Sequence, residues 1–381
     1  MLGAAFAARS LSPADGRQSF RFLPNGNCRL RKIIEMKKDV LILGIESSCD
    51  ETAVSVVRNG REVLSDAILS SATEHVPFGG VVPEIASRAH TEAIDIAYSQ
   101  ALKDAGVTMA DIDAVAVTYG AGLLGALLVG VSYAKAIAYA ENKPLIAVNH
   151  IRGHVAAGYL SSDLKPPFLT LLTSGGHTAI VRVDGFTKMH VLGSTRDDAV
   201  GEAFDKVARV LGIPYPGGPG VMKAAKTGQP VIPLPKMLKG DRSYDFSYSG
   251  LKTAVINFCH TCTQKGEQIP VSDVACSFQK AALDVLRDKT FRAVKETGIN
   301  TVSMGGGVAA NDYLREIMQK EAKKRGVKLY IPEKKLCTDN GAMIAAEGYL
   351  QYTYSSVRAG LDLNAQATIP DFTEAYGEIR H

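Results

Sequence analysis

The stretch VLILGIESSCDETAVSVV, residues 40–57, reads as two strands joined by a polar turn. Residues 40–45 are apolar and rich in β-branched side chains, as expected of a buried strand, and residues 46–52 form the small, polar turn. The second strand, Ala53 to Val57, is followed by Asn59-Gly60, a dipeptide typical of a tight hairpin turn. We therefore predict a β-hairpin at the start of the folded body.

The same pattern recurs later in the chain. An apolar run from Phe168 to Leu172 leads into the turn TSGGHT at residues 173–178, and a return strand follows from Ala179 to Val183. Both copies therefore read as strand, small polar turn, Thr-Ala and strand. We expect the chain to be built from two related halves.

A second repeated pattern supports this duplication. The strand Ala114–Val117 leads through Gly120-Ala121-Gly122 into an apolar helix, and the strand Thr301–Met304 leads through residues 305–307, Gly-Gly-Gly, into another. Glycines at a helix start let a backbone approach a ligand closely, although an ordinary tight turn has the same sequence. Two α/β halves of this kind resemble the superfamily of actin, hexokinase-like sugar kinases and heat-shock ATPases, in which two ribonuclease-H-like domains bind a nucleotide between them. No P-loop motif of the form G-x-x-x-x-G-K-[ST] occurs, which disfavours a P-loop ATPase.

The predicted limits follow from these patterns and from changes in composition. We predict a disordered basic extension at 1–38, a first ribonuclease-H-like half at 39–150, a second half at 151–370 with a helical insertion at about 195–297, and a C-terminal tail at 371–381. The last helix is expected to begin after Asp339-Asn340-Gly341, with Asp339 as its N-cap.

Composition excludes several classes of protein. The chain has 381 residues, of which 46% are hydrophobic and 22% are charged, so it is neither wholly disordered nor collagen-like. The longest apolar stretch, around residues 123–134, is shorter than the roughly 20 residues of a membrane span, and no membrane association is expected. The net charge of +4 is concentrated in residues 1–38, which hold eight Lys and Arg residues against two acidic residues. The remaining body is close to neutral, so binding of nucleic acid requires a local patch.

The basic extension has two readings. An Arg-rich, acid-poor leader is typical of an organelle transit peptide, which would direct the protein to mitochondria. Alternatively the start is assigned too early, and Met36, immediately before the first strand, is the real beginning of a cytoplasmic bacterial protein. We favour the second reading, and six irregularly spaced cysteines agree with a reducing compartment.

Two histidines at residues 150–154, HIRGH, point to a metal site. At this spacing His150 and His154 lie on one face of a helix, a common geometry for shared metal ligation, although paired structural histidines have the same spacing. A third ligand is required, and Asp339 in the opposite half is the best candidate. Ile151 occupies the position of the catalytic glutamate of an H-E-x-x-H metalloprotease, which argues against that class.

Other polar residues line the expected cleft. Asp50 and Glu51 sit in the first hairpin turn, where a carboxylate can orient a cation or receive a proton from an attacking amine. Residues 174–176, Ser-Gly-Gly, offer successive backbone N–H donors of the kind that form an anion nest. An ordinary solvated turn is the alternative for both segments. Asp205 falls on a helix face and by itself reads as a surface acid.

Seven motifs occur in one chain and in order. They are ESSCDET (46–52), H-x-x-x-H (150–154), SGGHT (174–178), GEAFDK (201–206), YPGGP (215–219), FSYSGLKTA (246–254) and GGGVAAN (305–311). Together they resemble the universal tRNA threonylcarbamoyladenosine transferase family, whose bacterial members were once described as O-sialoglycoprotein endopeptidases. The resemblance covers residues 36–370, and the ordered set is far more specific than any one motif.

The resemblance implies an activity and a set of ligands. The reaction is transfer of the threonylcarbamoyl group from threonylcarbamoyl-AMP to N6 of the adenosine next to the anticodon of tRNAs that read codons beginning with A. One divalent metal, Fe²⁺ or Zn²⁺, would bind His150, His154 and Asp339, and an adenine nucleotide, ATP or AMP, would occupy the same cleft. Substrate contacts would fall on Leu172, Thr173, Ser174, Gly175, Gly176, Asp205, Gly218 and Asn311. Asp50 or Glu51 is our candidate for the catalytic proton acceptor.

The resemblance also implies partners and shows one departure. Family members act on tRNA with a shortened paralogue that lacks the metal site, a P-loop ATPase and a separate synthase of the adenylate, while mitochondrial relatives act as homodimers. Many relatives carry an acidic residue shortly after the Gly-Gly-Pro turn, where this chain has Met222.

Two other functions compete with this interpretation. One is a small-molecule kinase of the same fold, which needs no paired-histidine metal site. The other is a non-catalytic nucleotide-binding scaffold, which would have lost the metal ligands.

Overall fold

The computed structural model describes residues 39–238 and 240–377. The predictions for residues 1–38 and for the end of the tail lie outside the described residues. The elements up to residue 149 are β1 (Leu41–Glu46), β2 (Glu51–Arg58), β3 (Glu62–Ser70), α1 (Ala72–His75), α2 (Pro83–Ala105), β4 (Ala114–Gly120), α3 (Leu124–Ala140) and β5 (Leu145–Asn149). Those that follow are α4 (His150–Ala156), β6 (Phe168–Thr173), β7 (Thr178–Val183), β8 (Met189–Ser194), α5 (Val200–Val210), α6 (Gly217–Ala225), α7 (Ser249–Gln264), α8 (Val271–Thr297), β9 (Thr301–Gly305), α9 (Asp312–Arg325), β10 (Lys328–Tyr330) and α10 (Gly341–Tyr354).

Two five-stranded sheets share one topology. The first has the order β3-β2-β1-β4-β5 and the second the order β8-β7-β6-β9-β10. In each sheet the first three strands in chain order are antiparallel neighbours, and the last two run parallel to the first. The duplicated α/β fold predicted from the two hairpin patterns is therefore confirmed.

The first hairpin forms where the sequence predicts it. β1 pairs with β2 in a continuous antiparallel register from Leu41 opposite Arg58 to Glu46 opposite Ala53. Between β2 and β3, Asn59 and Gly60 have φ angles of 53° and 66°, the left-handed pair that a tight hairpin turn requires. The polar turn after β1 is thereby fixed at the carboxyl end of a central strand.

The elements stack in five layers. Helices α2 and α3 cover the outer face of the first sheet, while α5 to α9 contribute to the core on the outer face of the second. Between the two sheets lie α4 and α10, which complete a shared central core. A Cβ atom on Gly44 of β1 would lie 2.3 Å from the Gly341 carbonyl oxygen, so α10, the last helix of the described residues, passes directly over the first sheet. This return places the start of α10 between the two halves.

The predicted helical insertion is present in the second half. It contains α5, α6, α7 and α8 between β8 and β9. The described residues between α6 and α7, 226–238 and 240–248, are largely irregular. Within residues 39–238 and 240–377, no helix combines the length and the apolar character that crossing a bilayer requires.

The N-cap prediction for the last helix is wrong by one residue. Asn340, not Asp339, caps α10, since its side-chain oxygen accepts a hydrogen bond of 2.8 Å from the Met343 amide. The Asn340 Nδ2 group donates to the carbonyl oxygens of Leu336 and Thr338. Because the Asn340 side chain fills the capping position, the Asp339 carboxylate is not needed there and can face the two histidines of α4.

Candidate active site and metal centre

A cavity of about 390 Å³, which we call the first cavity, lies at the carboxyl ends of β1, β4 and β6. The polar turn after β1, the glycine turn after β4, the start of α4 and the turn after β6 line it, together with Asp339. Ligand sites in open α/β sheets occupy this position because consecutive loops diverge there and leave backbone groups exposed. The cavity is thus the natural binding site of the fold.

His150, His154 and Asp339 meet at the base of the first cavity and are called the His–His–Asp cluster. The Asp339 Oδ1 atom lies 3.6 Å from His150 Nε2 and 3.2 Å from His154 Nε2. One candidate ligand atom from each residue lies within 4.8 Å of the other two. The predicted convergence of the paired histidines with the distant aspartate is therefore observed.

The ring nitrogens of the cluster fit a metal ion. Both nitrogens of His154 are buried, and neither makes a well-aligned hydrogen bond within the described residues, although Nε2 lies 3.2 Å from Asp339 Oδ1. Such a state is costly for a polar group unless a ligand satisfies it. His150 uses Nδ1 in hydrogen bonds with Glu46 and Ser48, which leaves Nε2 facing Asp339. Two imidazole nitrogens and one carboxylate oxygen are a donor set suited to Zn²⁺ or Fe²⁺.

Sequence reasoning missed Glu46, the residue that orients His150. Its Oε2 atom accepts a hydrogen bond of 3.0 Å from His150 Nδ1 and another of 2.7 Å from the Thr118 hydroxyl. Its Oε1 atom accepts from the Ser48 amide. A carboxylate behind a metal-binding histidine fixes the tautomer and raises the basicity of the ligand. The available signal was its place at the start of the polar turn, directly after a buried strand.

The charges of the cluster favour a cation. Although burial opposes charge on the imidazole, Asp339 and Glu46 raise the pKa of His150 to about 9. Burial works against the charged form of Asp339 too, yet the two histidines lower its pKa to about 2. Burial first, then the charges of Asp339 and Asp50, raise the pKa of Glu51 to about 9. Several carboxylates therefore lie close together with too few positive groups to balance their charge. A divalent ion bound among them would reduce their mutual repulsion.

A buried histidine, His90, holds the turn that carries Asp50 and Glu51. The His90 ring donates from Nε2 to the Cys49 carbonyl oxygen over 2.9 Å, and its Nδ1 atom accepts from the Thr52 hydroxyl over 2.6 Å. Burial lowers the pKa of His90, which keeps the ring neutral as this pattern requires. Glu51 lines the first cavity, so the predicted catalytic position is at the site.

The turn after β6 supplies only part of the predicted contacts. Ser174, Gly175 and Gly176 line the first cavity, but the Ser174 amide donates to the His177 carbonyl oxygen and is already used within the turn. Leu172 belongs to the central core, and Thr173 is buried with its hydroxyl directed at Gly305 O. Those two residues support the turn from behind and line neither cavity described here.

A second cavity of about 300 Å³ adjoins the first and shares Glu51 with it. The remaining predicted contacts, Asp50, Asp205, Gly218 and Asn311, line this second cavity, as do Tyr215 and Met222. Asp205 is half-buried rather than a fully exposed surface acid, and burial raises its pKa, while its Oδ1 atom accepts a hydrogen bond of 2.9 Å from the Gly217 amide. This mostly apolar chamber next to a polar cluster is suited to a base or a sugar.

Asn311 is less free than its motif suggests. Its side-chain oxygen caps α9 by accepting from the Leu314 amide, and its Nδ2 group donates to Gln279.

A third imidazole, His177, was quoted in a motif but given no role by sequence reasoning, and it lines the first cavity. Burial and the neighbouring imidazoles lower the pKa of His177 to about 4, so the ring is neutral near pH 7.

Solved structures share this fold at low sequence identity. HypF from T. kodakarensis matches with a TM-score of 0.57 and 13% identity over 83% of this chain and 48% of that one. A full-length HypF in its phosphate- and nucleotide-bound form matches with a TM-score of 0.55 and 16% identity over 84% of this chain and 47% of that one. At this level of identity the likeness shows the fold alone.

Sequence relatives are much closer. The tRNA N6-adenosine threonylcarbamoyltransferase of Clostridium botulinum (strain 657 / Type Ba4) is 52% identical over 332 residues, 87% of this chain and 97% of that protein. The protein of the same name from Geobacillus thermodenitrificans (strain NG80-2) is 51% identical over 338 residues, 88% of this chain and 98% of that protein. The family model of tRNA N6-adenosine threonylcarbamoyltransferase (TsaD) matches residues 62–346. With relatives of this identity over nearly their whole length, the chain belongs to the tRNA N6-adenosine threonylcarbamoyltransferase family.

Proposed function

We propose that this chain transfers a threonylcarbamoyl group from threonylcarbamoyl-AMP to N6 of the adenosine next to the anticodon of tRNAs that read codons beginning with A. The observation that carries the proposal is the His–His–Asp cluster at the base of a cleft with two adjoining cavities. Family membership supplies the reaction, and the cleft supplies places for the group that reacts and for the adenylate that leaves.

The cluster is our candidate for the metal site. His150 and His154 would bind a divalent ion through Nε2 and Asp339 through a carboxylate oxygen, since these atoms face one another and Glu46 holds His150 in the required tautomer. Such an ion, Fe²⁺ or Zn²⁺, supplies Lewis acidity that polarises the carbamoyl carbonyl.

The second cavity is our candidate for the adenosine part of the adenylate. Asp205, Gly218 and Asn311 line it, and Met222 contributes an apolar surface. Gly175 and Gly176 are exposed in the turn after β6, and Gly175 lines both cavities, so their amides would face a phosphate there. Holding both reactants in line contributes at most roughly 7–11 kcal/mol to lowering the barrier.

The chemistry is acyl transfer from a mixed anhydride. A bond forms between N6 of the adenosine and the carbamoyl carbon, the bond from that carbon to the phosphate oxygen breaks, and AMP leaves with the bonding pair. The amine loses one proton, which we assign to Glu51, with Asp50 as the alternative. Glu51 lines both cavities, and a bound cation would favour its ionised, proton-accepting form.

We propose the same partners that the family resemblance implies. The adenylate requires an upstream synthase, and a shortened paralogue and a P-loop ATPase would assist the bacterial cytoplasmic enzyme. A homodimer is the alternative assembly. Because the body of the chain beyond residue 38 is close to neutral, help from partners in holding tRNA is physically reasonable.

One reconstitution tests the proposal. The full chain is incubated with synthase, paralogue, ATPase, threonine, bicarbonate, ATP, Zn²⁺ or Fe²⁺ and unmodified tRNA, and the digested tRNA is examined by mass spectrometry. We expect the threonylcarbamoyl-adenosine nucleoside with the wild type and none with His154→Ala. Absence of the nucleoside with the wild type, alongside phosphorylation of a small metabolite, would replace this proposal by a kinase.

A further inference from the structure

A buried ion pair ties α4, which carries both histidines of the His–His–Asp cluster, to α10, which begins two residues after Asp339. Arg152, between the two histidines on α4, donates from Nε to Glu347 Oε1 on α10 over 2.6 Å. The side chains of both residues are at most 1% exposed. Arg152 also donates to the carbonyl oxygens of Thr373, over 2.8 Å, and Thr187, over 3.2 Å. Its guanidinium therefore joins α4 to α10, to the C-terminal segment and to the β7–β8 turn.

Helix α4 has little stability of its own. It spans seven residues, His150–Ala156, all of them buried, and a helix of this length is not stable in isolation. Its position must therefore come from tertiary contacts. On one side a side chain at Gly153 would lie 2.7 Å from the Ile344 Cδ1 atom of α10, and on another a side chain at Gly305 would lie 2.4 Å from the His154 carbonyl oxygen.

These close contacts set the spacing of α4 from its neighbours. A shift of α4 along α10 is restrained by directional contacts, of which the Arg152–Glu347 pair joins the two helices directly. The Arg152–Glu347 pair lies within the helices, whereas Asp339 immediately precedes the Asn340 cap of α10. A shift of α4 along α10 would change the distances from His150 and His154 to Asp339 together.

Stability alone is a weak reason for such a pair. Burying two charges costs free energy that their attraction often only just recovers, and well-packed apolar residues of similar volume are frequently as good. Glu347 is further satisfied by a hydrogen bond of 3.1 Å from Gln351 Nε2 of the same helix. A buried pair with such directional hydrogen bonds favours one arrangement of its two elements over others.

We propose that Arg152 and Glu347 are positioning residues that set the register of α4 against α10 and thereby determine the affinity and coordination geometry of the metal site. The proposal rests on metal binding at the His–His–Asp cluster, a part of the proposed function. It concerns the arrangement of the ligands and does not depend on which group the enzyme transfers.

The test is a Co²⁺ titration of the metal-free full chain, followed by visible absorption, with Zn²⁺ affinity measured by competition. We compare the wild type, Arg152→Met with Glu347→Met, and Glu347→Gln, which keeps the side-chain volume should the double variant fold poorly. His154→Ala locates the binding at the cluster. Arg58→Met with Glu62→Met removes an exposed ion pair of the first sheet and is the matched control.

We expect the double Met variant to bind Co²⁺ about tenfold or more weakly, a loss of the size seen for outer partners of metal ligands, with altered absorption bands. Glu347→Gln should also weaken Co²⁺ binding and alter the absorption bands. The Arg58/Glu62 control should change neither the affinity nor the spectrum. Wild-type affinity and spectrum in both Glu347 variants, with only a lower melting temperature, would overturn the inference. So would a wild type that binds Co²⁺ no better than His154→Ala. Tight metal binding without transfer to tRNA would overturn the proposed function and leave this inference standing.

Discussion

Glu46 and His150 lie 104 positions apart in the chain, yet His150 Nδ1 donates a hydrogen bond of 3.0 Å to Glu46 Oε2 inside the protein. Glu46 ends β1 and His150 begins α4 directly after β5. Because β4 pairs with both β1 and β5, the carboxyl ends of these strands meet at one edge of the first sheet. This contact turns His150 Nε2 towards Asp339.

The first prediction concerns this contact. Glu46→Gln keeps the side-chain size but loses the negative charge that supports His150, so we expect the affinity for Zn²⁺ to fall about 10–100-fold. Equilibrium competition with a chelator measures it. Glu62→Gln, at an exposed position on β3, is the control and should bind like the wild type. An unchanged affinity in Glu46→Gln would remove Glu46 from the metal site.

The second prediction concerns stabilisation by metal. An ion that binds only the folded chain at 100 times its dissociation constant raises the free energy of unfolding by about 2.7 kcal/mol. We expect Zn²⁺ to raise the midpoint of urea unfolding of the wild type and a chelator to reverse the effect. Since His154 Nε2 faces Asp339 at the candidate metal site, His154→Ala removes one ligand and should show no such response. An equal response in the variant would place the metal elsewhere.

The third prediction concerns pH. Glu51 has a raised pKa of about 9 in the folded chain against an ordinary 4.5, so unfolding releases its proton between these values. The free energy of unfolding of the metal-free wild type should therefore fall as pH rises from 4.5 to 9. Because glutamine does not ionise, Glu51→Gln does not lose stability in this way and should be the more stable protein at pH 8. A tenfold difference in proton affinity between the folded and unfolded states corresponds to about 1.4 kcal/mol.

Thermal unfolding of the two proteins across pH, with a chelator present, measures this difference. Below about pH 4.5 the advantage of Glu51→Gln should vanish, because the wild-type residue is then protonated in both states. Added Zn²⁺ should reduce the advantage at pH 8, since a nearby cation favours the ionised carboxylate. A wild type that is equally stable or more stable at pH 8 without metal would contradict the prediction.

The fourth prediction separates a helix cap from a ligand position. Asn340 caps α10 and Asn311 caps α9, and replacing such a residue by alanine costs about 0.5–2 kcal/mol. Both Asn340→Ala and Asn311→Ala should lower the free energy of unfolding in urea. Only Asn340→Ala should also weaken Zn²⁺ binding, because it loosens the segment that carries Asp339. Equal metal affinity in the two variants would show that the cap does not position Asp339.

Much of the fold was predictable because its signals are local. The apolar run, polar turn and Thr-Ala return strand occur twice, and each copy forms a hairpin in the structure. The i, i+4 spacing of His150 and His154 places both rings on one face of α4. The N-cap was misassigned because Asp339 and Asn340 are equally good capping residues, and only the direction of the Asp339 carboxylate distinguishes them.

The candidate site was predictable only in part. Motif resemblance named Leu172 and Thr173 as contacts, but both side chains are fully buried at the end of β6 and line neither of the two cavities. Glu46 was overlooked because a carboxylate at a strand end has no periodic pattern that connects it to a histidine on another element. Its partner is decided by which strands are neighbours in the sheet.

The sequence by itself determined the two related halves, the polar turns at their strand ends and the paired histidines, because hydrophobic periodicity and helix spacing act over a few residues. Only the tertiary structure decided that α10 returns to the first sheet and brings Asp339 beside His150 and His154. It also decided that Arg152 and Glu347 meet between these elements. Such contacts depend on the packing of whole layers against one another, which no local pattern specifies.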